Sequence, residues 1–164
     1  MTAPPPLALR IRKAILADHL VLCRLWQQVD RLHGAIRPDF FAGSSDPARS
    51  KFYLDRILED PSQEFLVATP GDEVLGFIHL QCFDTPEAPV FARRRRVHIE
   101  DLVVDEAHRR RGVGRALMRA AEEWARRQRA QQIVLTVWQG NTDADAFYAS
   151  VGYAPVSHVL AKEL

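Results

Sequence analysis

The segment Arg109-Arg110-Arg111-Gly112-Val113-Gly114-Arg115 combines several positive side chains with two glycines. If a helix starts here directly after a strand, its first N–H groups and the positive end of its dipole point at whatever lies in front of it. Glycines leave out Cβ atoms where a diphosphate would approach, and arginines surround it with charge. A P-loop would need a Gly-Lys-Ser/Thr ending, which is absent, and the dinucleotide fingerprint needs Gly or Ala where Leu117 stands. Taken alone, the segment fits equally a phosphate loop and a glycine-softened helix start with solvated arginines. Just upstream lie His98 and Glu100, an imidazole and a carboxylate able to take a proton. Strand alternation puts them on one face with Leu102 and turns Asp101 to the opposite face.

The rest of the chain supplies elements to hold these groups. Leu7 to Arg12 reads as a first strand. Asp18 is placed to cap a helix whose stripe is Leu22, Leu25, Trp26 and Val29, ending near Gly34. After a loop from Ala35 to Pro47, a second helix carries Phe52, Leu54, Ile57 and Leu58 and stops before Pro61. Phe65 to Ala68 and Val74 to Cys82 flank Pro70-Gly71-Asp72 and form an antiparallel hairpin. The acidic, proline-containing stretch Phe83 to Ala92 is a loop, and Arg93 to Arg96, read as a solvated edge, lead into a strand through Val104. Gly112 to Arg129 is an amphipathic helix with Val113, Leu117, Ala121 and Trp124 on one side. Ile133 to Val137 reads as a strand covered on both faces, completing a right-handed strand–helix–strand unit. Asn141 or Thr142 caps a short helix through Phe147 and Tyr148 to Gly152, and Tyr153 to Ala161 is expected as a last strand.

With 164 residues, 47% hydrophobic and 26% charged, the chain has the size and composition of one globular domain, expected over 7–164 after a disordered tail at 1–6. No apolar stretch approaches the roughly 20 residues that span a bilayer, and Met1 to Pro6 lacks the features of a secretory signal. No membrane association and a cytoplasmic location are therefore expected. Two cysteines, Cys23 and Cys82, without a CxxC spacing give no support for a metal. A net charge of +1 argues against a general polyanion binder.

Two longer patterns carry a resemblance. Ile99-Glu100-Asp101-Leu102-Val103-Val104, then Arg109-x-x-Gly112-x-Gly114 and Leu117, resembles the signature of the GNAT N-acetyltransferase superfamily. Asn141-x-x-Ala144-x-x-Phe147-Tyr148-x-x-x-Gly152-Tyr153 is similar to that superfamily's C-terminal motif. The resemblance implies an α/β fold of the α+β type: a mixed, mostly antiparallel twisted sheet, helices on both faces, and a central splayed pair of parallel strands. It implies acetyl-CoA as cosubstrate and no metal. Leu102, Val103 and Val104 would pair with the pantetheine, and the Val104 N–H would polarise the thioester carbonyl. Arg109, Arg110, Arg111, Gly112, Val113, Gly114 and Arg115 would hold the pyrophosphate, with Asn141 as a further coenzyme contact. Tyr148 matches the general acid; Glu100 is the first choice of base, and His98 or water the alternative. The implied reaction is direct attack by a primary amine in a ternary complex.

The acceptor, a small molecule or a peptide, would be framed by the loops His33 to Asp46 and Phe83 to Ala92. There Phe40, Phe41, Phe83 and Phe91 offer an apolar wall, and Asp39, Asp84 and Glu87 could draw in a cation. Relatives are often dimers, so a homodimer is possible. The competing readings are a non-catalytic coenzyme A-binding module and nucleic-acid binding through Arg93 to Arg96 and Arg109 to Arg111. The second cluster is already explained by a coenzyme, and no aromatic stacking motif accompanies the first, so no nucleic-acid partner is expected.

Overall fold

The computed structural model describes residues 8–41 and 49–162. The expected tail at 1–6 and the 42–47 part of the first long loop lie outside them. In chain order the elements are β1 (Arg10–Lys13), α1 (His19–Ile36), α2 (Lys51–Glu59), β2 (Gln63–Thr69), β3 (Gly76–Asp84), β4 (Arg95–Val104), α3 (Val113–Arg127), β5 (Gln132–Val134) and α4 (Thr142–Ser150). The five strands form one sheet in the order β1-β2-β3-β4-β5. Every pairing is antiparallel except β4 with β5, which is parallel. The mixed, mostly antiparallel fold expected from the sequence is the fold observed.

Each face of the sheet buries its own core. Under α3 lie Leu66, Ile78, Leu80, Val97 and Ile99 against Val113, Leu117, Ala121 and Trp124, so the three-and-four spacing of α3 meets the period of two of the strands. Under α1 and α2 lie Phe65, Val67, Phe77 and Val103 against Leu22, Leu25, Trp26, Leu54 and Ile57. Trp26, 1% exposed, anchors this second core with edge-on contacts to Phe65 and Phe77 at 5.8 and 5.2 Å.

Several expectations are corrected. α1 runs through Gly34 to Ile36. Asp18 makes no side-chain cap for α1; its carboxylate accepts from Ile15 N–H at 2.9 Å and pairs with Arg12 at 2.7 Å. Phe52 is exposed, and only Leu54 and Ile57 of α2 are fully buried. β5 is shorter than Ile133 to Val137 and half-buried. The last strand expected at Tyr153 to Ala161 is absent: Val156, Val159 and Leu160 stand in solvent, and β5, the edge of the sheet, is only three residues long.

Candidate active site

The register between β3 and β4 decides which way the candidate residues face. His79 pairs with Asp101 and Leu80 with Ile99, leaving Glu100 as a bulge without an opposite residue. A bulge inserts one residue and reverses the alternation beyond it. Ile99 therefore points into the α3 core, while Asp101 and Val103 turn to the α1 side and Leu102 packs with the α3 core. Simple alternation put Asp101 and Glu100 on opposite faces and Leu102 beside Glu100; the bulge overturns both. No local residue type announced it.

Glu100 and its neighbours open a pocket of about 490 Å³ whose walls include Tyr53, Gln63, His79 and Gln81. His98 Nδ1–H donates to Glu100 Oε1 at 2.8 Å, and that hydrogen bond holds the Glu100 carboxyl below the usual range against the opposing effect of its partial burial. Asp101 accepts from Trp26 Nε1–H at 3.0 Å, and burial pushes its pKa up to about 6. Burial brings the His79 imidazole down to about 4; its Nε2–H donates to Gln63 Oε1 at 2.6 Å. Tyr53, Gln63, His79 and Gln81 are pocket-lining residues that the sequence did not single out; Asp101, expected on the opposite face, and Trp26, expected only as core, meet next to Glu100. The one available signal was Trp26, whose indole N–H needs a partner when placed on a helix's apolar stripe.

α4 adds no residue to that pocket's lining and lies against the start of α3. Asn141 accepts from Ala144 N–H at 3.2 Å and so caps α4, which leaves its amide N–H groups as the part open to a ligand. Tyr148 packs against Phe147 and Tyr153 at 5.3 and 5.8 Å. Its hydroxyl pKa is raised, by burial first and then by Tyr153 and Asp101, so the phenol keeps its proton.

β4 and β5 part soon after they pair. They pair only from Arg96↔Gln132 to His98↔Val134. Asp105 N–H donates to Leu75 O at 2.8 Å. Bonded and open pairs alternate in an antiparallel ladder, so Leu102 and Val104 turn their backbone groups away from β3, into the gap. Arg109 Nε–H takes up the Val104 carbonyl at 3.3 Å; the Val104 N–H stays open to the cleft.

At the foot of the gap α3 begins. Gly112, at φ 87°, turns the chain in the left-handed region where a Cβ is disfavoured. Ala116 N–H, to Gly112 O at 3.0 Å, is the first helical bond of α3, so the earlier amides from Val113 on face outward. A Cβ on Gly114 would lie 3.2 Å from the Phe147 ring, so this glycine admits α4 as well as leaving room for a ligand. Arg111 Nε is buried with no partner. Arg110 reaches Asp143 at 3.7 Å and Arg109 reaches Glu106 at 3.9 Å, both in the open. Arg115 departs from the expected pattern: its guanidinium binds Ser150 Oγ at 3.0 Å, and only its amide faces the cleft end of α3. Unspent amides, an unpartnered Arg111 Nε and open strand edges at Leu102 and Val104 suit a long molecule with a diphosphate and an amide-containing arm, as acetyl-CoA has.

The acceptor side is corrected too. Asp39, Asp84 and Glu87 are each paired, with Arg37 at 2.6 Å, Arg95 at 2.9 Å and Arg93 at 3.6 Å; the acids that line the pocket are Glu59, Asp60 and Glu100. Phe40 and Phe41 pack on Trp138 at 4.9 and 5.1 Å, while Phe83 and Phe91 remain exposed. Asp46 lies outside the described residues. Among those residues, no helix is long and apolar enough to cross a membrane.

Several known proteins resemble this chain in sequence or in fold. N-acetyltransferase 8 of Homo sapiens is 32% identical over 89 residues, 54% of this chain and 37% of that protein. An L-ornithine N5-acetyltransferase of Arabidopsis thaliana is 30% identical over 122 residues, 73% of this chain and 50% of that protein. The chain thus spans half or less of the length of these two relatives. Among solved structures, a mutant of the BH1408 protein of Bacillus halodurans superposes with a TM-score of 0.91 at 27% identity, covering 94% of this chain and 99% of that one. The profile of the acetyltransferase (GNAT) family matches residues 26–153, and the chain belongs to that family.

Proposed function

We propose that the protein transfers an acetyl group from acetyl-CoA to a primary amine of a small molecule or peptide, by direct attack in a ternary complex. The observation that carries this reading is the gap between β4 and β5 beyond His98 and Val134, with the amides of α3 at one end and Glu100 and Asp101 at the other. Leu102 and Val104 would hold the pantetheine arm through their backbone groups, and the amides of residues 110–115 with Arg109 and Arg111 would hold the diphosphate. When bound, acetyl-CoA supplies the acetyl thioester and a thiolate leaving group.

An alkylammonium must lose a proton before it can attack. Glu100, kept ionised by His98, takes that proton directly or through water, and His98 Nδ1–H holds the carboxylate in place. On the opposite wall Tyr148 keeps its phenolic proton and gives it to the departing sulfur. The raised pKa of Tyr148 suits a group that must arrive protonated and transfers its proton only to a strongly basic partner. The small-molecule part of the reading draws on the relative that carries an ornithine acetyltransferase name. Thiol release from acetyl-CoA across polyamines, basic amino acids, aminoglycosides and peptide N-termini tests it. Amine-dependent release is the expected result; tight coenzyme binding with no release from any amine rules transfer out.

A further inference from the structure

The sheet face turned away from α3 carries groups that the transfer chemistry leaves unused. On β4, Val97 and Ile99 are buried in the α3 core, so Arg96 and His98 point the other way. Cross-strand partners share a face. Arg96 therefore stands in a row between Phe83 of β3 and Gln132 of β5, and the next row is Gln81, His98 and Val134. Gln81 and Glu100 line the 490 Å³ pocket, which places Arg96 on the same surface, two strand steps from the candidate base.

Arg96 is half-buried. Its Nε is buried with no hydrogen-bond partner, and among the described residues no ion pair reaches its guanidinium. Its neighbours are engaged: Arg95 binds Asp84 through two nitrogens at 2.9 and 3.0 Å, and Arg93 reaches Glu87. Directly across, on β5, Gln132 Oε1 is also buried without a partner. One unused donor and one unused acceptor thus sit side by side without bonding to each other. Buried polar groups are rarely left so, and each such group asks for an explanation. Arg111 Nε is in the same condition at the phosphate end of α3, where the coenzyme accounts for it. Arg96 stands on the face of the sheet turned away from α3, whose first turn carries the proposed diphosphate contacts.

The geometry points to a subsite for the head group of a free basic amino acid: its α-carboxylate on Arg96, its α-ammonium on Gln132 Oε1, and its side-chain amine running along β4 to Glu100. A carboxylate is the natural ligand of an unpaired guanidinium. Four residues of strand separate Arg96 from Glu100, roughly 13 Å between Cα atoms. The arginine and glutamate side chains reach in from both ends, and the remaining span is that of an amino acid of the ornithine or lysine kind.

This deepens the transfer reading and rests on it, so binding is measured apart from turnover. The whole chain with coenzyme A is titrated calorimetrically with L-ornithine, δ-aminovaleric acid, which lacks the α-amine, and putrescine, which lacks the carboxylate. Ornithine is expected to bind at least about tenfold more tightly than putrescine, with δ-aminovaleric acid between them. Arg96→Gln is expected to erase the difference between ornithine and putrescine while leaving putrescine affinity within about twofold, and Arg96→Lys to restore part of it. Equal wild-type affinity for ornithine and putrescine, or a loss in Arg96→Gln shared by putrescine, overturns the subsite. Selective ornithine binding without thiol release from acetyl-CoA keeps the subsite and removes the transfer reading instead.

Discussion

Trp26 Nε1–H donates to Asp101 Oδ2 at 3.0 Å, joining residues 75 positions apart and fixing a buried carboxylate beside the opening between β4 and β5. Asp101 faces His79 across the ladder, and the two titrate in opposite senses. Asp101 is raised to about 6, so the folded chain binds its proton more readily than the unfolded chain. From pH about 4 to about 6 that group makes stability fall as pH rises. His79 is lowered to about 4, so the unfolded chain binds that proton more readily. Over about pH 4 to 6.5 it makes stability rise with pH.

The expected outcome is a shallow pH dependence of unfolding in the wild type across this window, each group contributing at most about 3 kcal/mol. Asp101→Asn should leave stability rising with pH, and His79→Gln should leave it falling. Urea unfolding at pH 4, 5, 6 and 7 checks both signs; parallel curves for the two variants would contradict the opposition.

Removing His98 should release Glu100. In His98→Ala the carboxyl loses the hydrogen bond that holds its pKa down, and the acid limb of the kcat/KM profile should move to higher pH. Glu100→Gln should lower kcat/KM by about 10²-fold or more with little change in acetyl-CoA affinity. A pH profile unchanged in His98→Ala would show that the group titrating on the acid side is not Glu100.

Tyr148→Phe keeps the ring contacts with Phe147 and Tyr153 and deletes the proton. We expect kcat to drop by about 10²-fold to 10⁴-fold with KM for acetyl-CoA and the melting temperature nearly unchanged. A kcat within a few-fold of wild type would mean that the leaving sulfur takes its proton from water.

For coenzyme binding, Arg111→Gln is a cleaner probe than a bulky residue at Gly114. A Cβ there already crowds the Phe147 ring at 3.2 Å, so the far larger side chain of Gly114→Trp would disturb packing and binding together. Arg111→Gln should weaken coenzyme A binding by about tenfold and, because Arg111 Nε has no protein partner, leave thermal stability at or slightly above wild type. Equal binding in a calorimetric titration would place the diphosphate elsewhere.

The sequence made the central elements legible because their periods are long and consistent: α3 shows its stripe over four turns, and the β2–β3 hairpin has both alternation and a turn between. It made the start of α3 legible because Gly112 marks the left-handed turn from which the helix begins. What it hid depends on register. One extra residue at Glu100 exchanges the faces of Asp101 and Leu102, and no propensity marks that position. The pairing of Asp39, Asp84 and Glu87 with arginines is equally invisible before the chain is folded. The expected C-terminal strand had the right residue types, yet a strand needs a neighbour, and β5 is only three residues long.

Arg115 bonded to Ser150, and Phe147 seated on Gly114, strap α4 to the first turn of α3. Phe147 and Tyr148 also pack on the core that α3 shares with β2, β3 and β4, so Tyr148 and the strand that carries Glu100 are joined through one packed layer. In mechanical terms the gap past the three rungs joining β4 to β5 is a slot cut in a clamped plate: the packing beneath it holds its two sides at a set spacing.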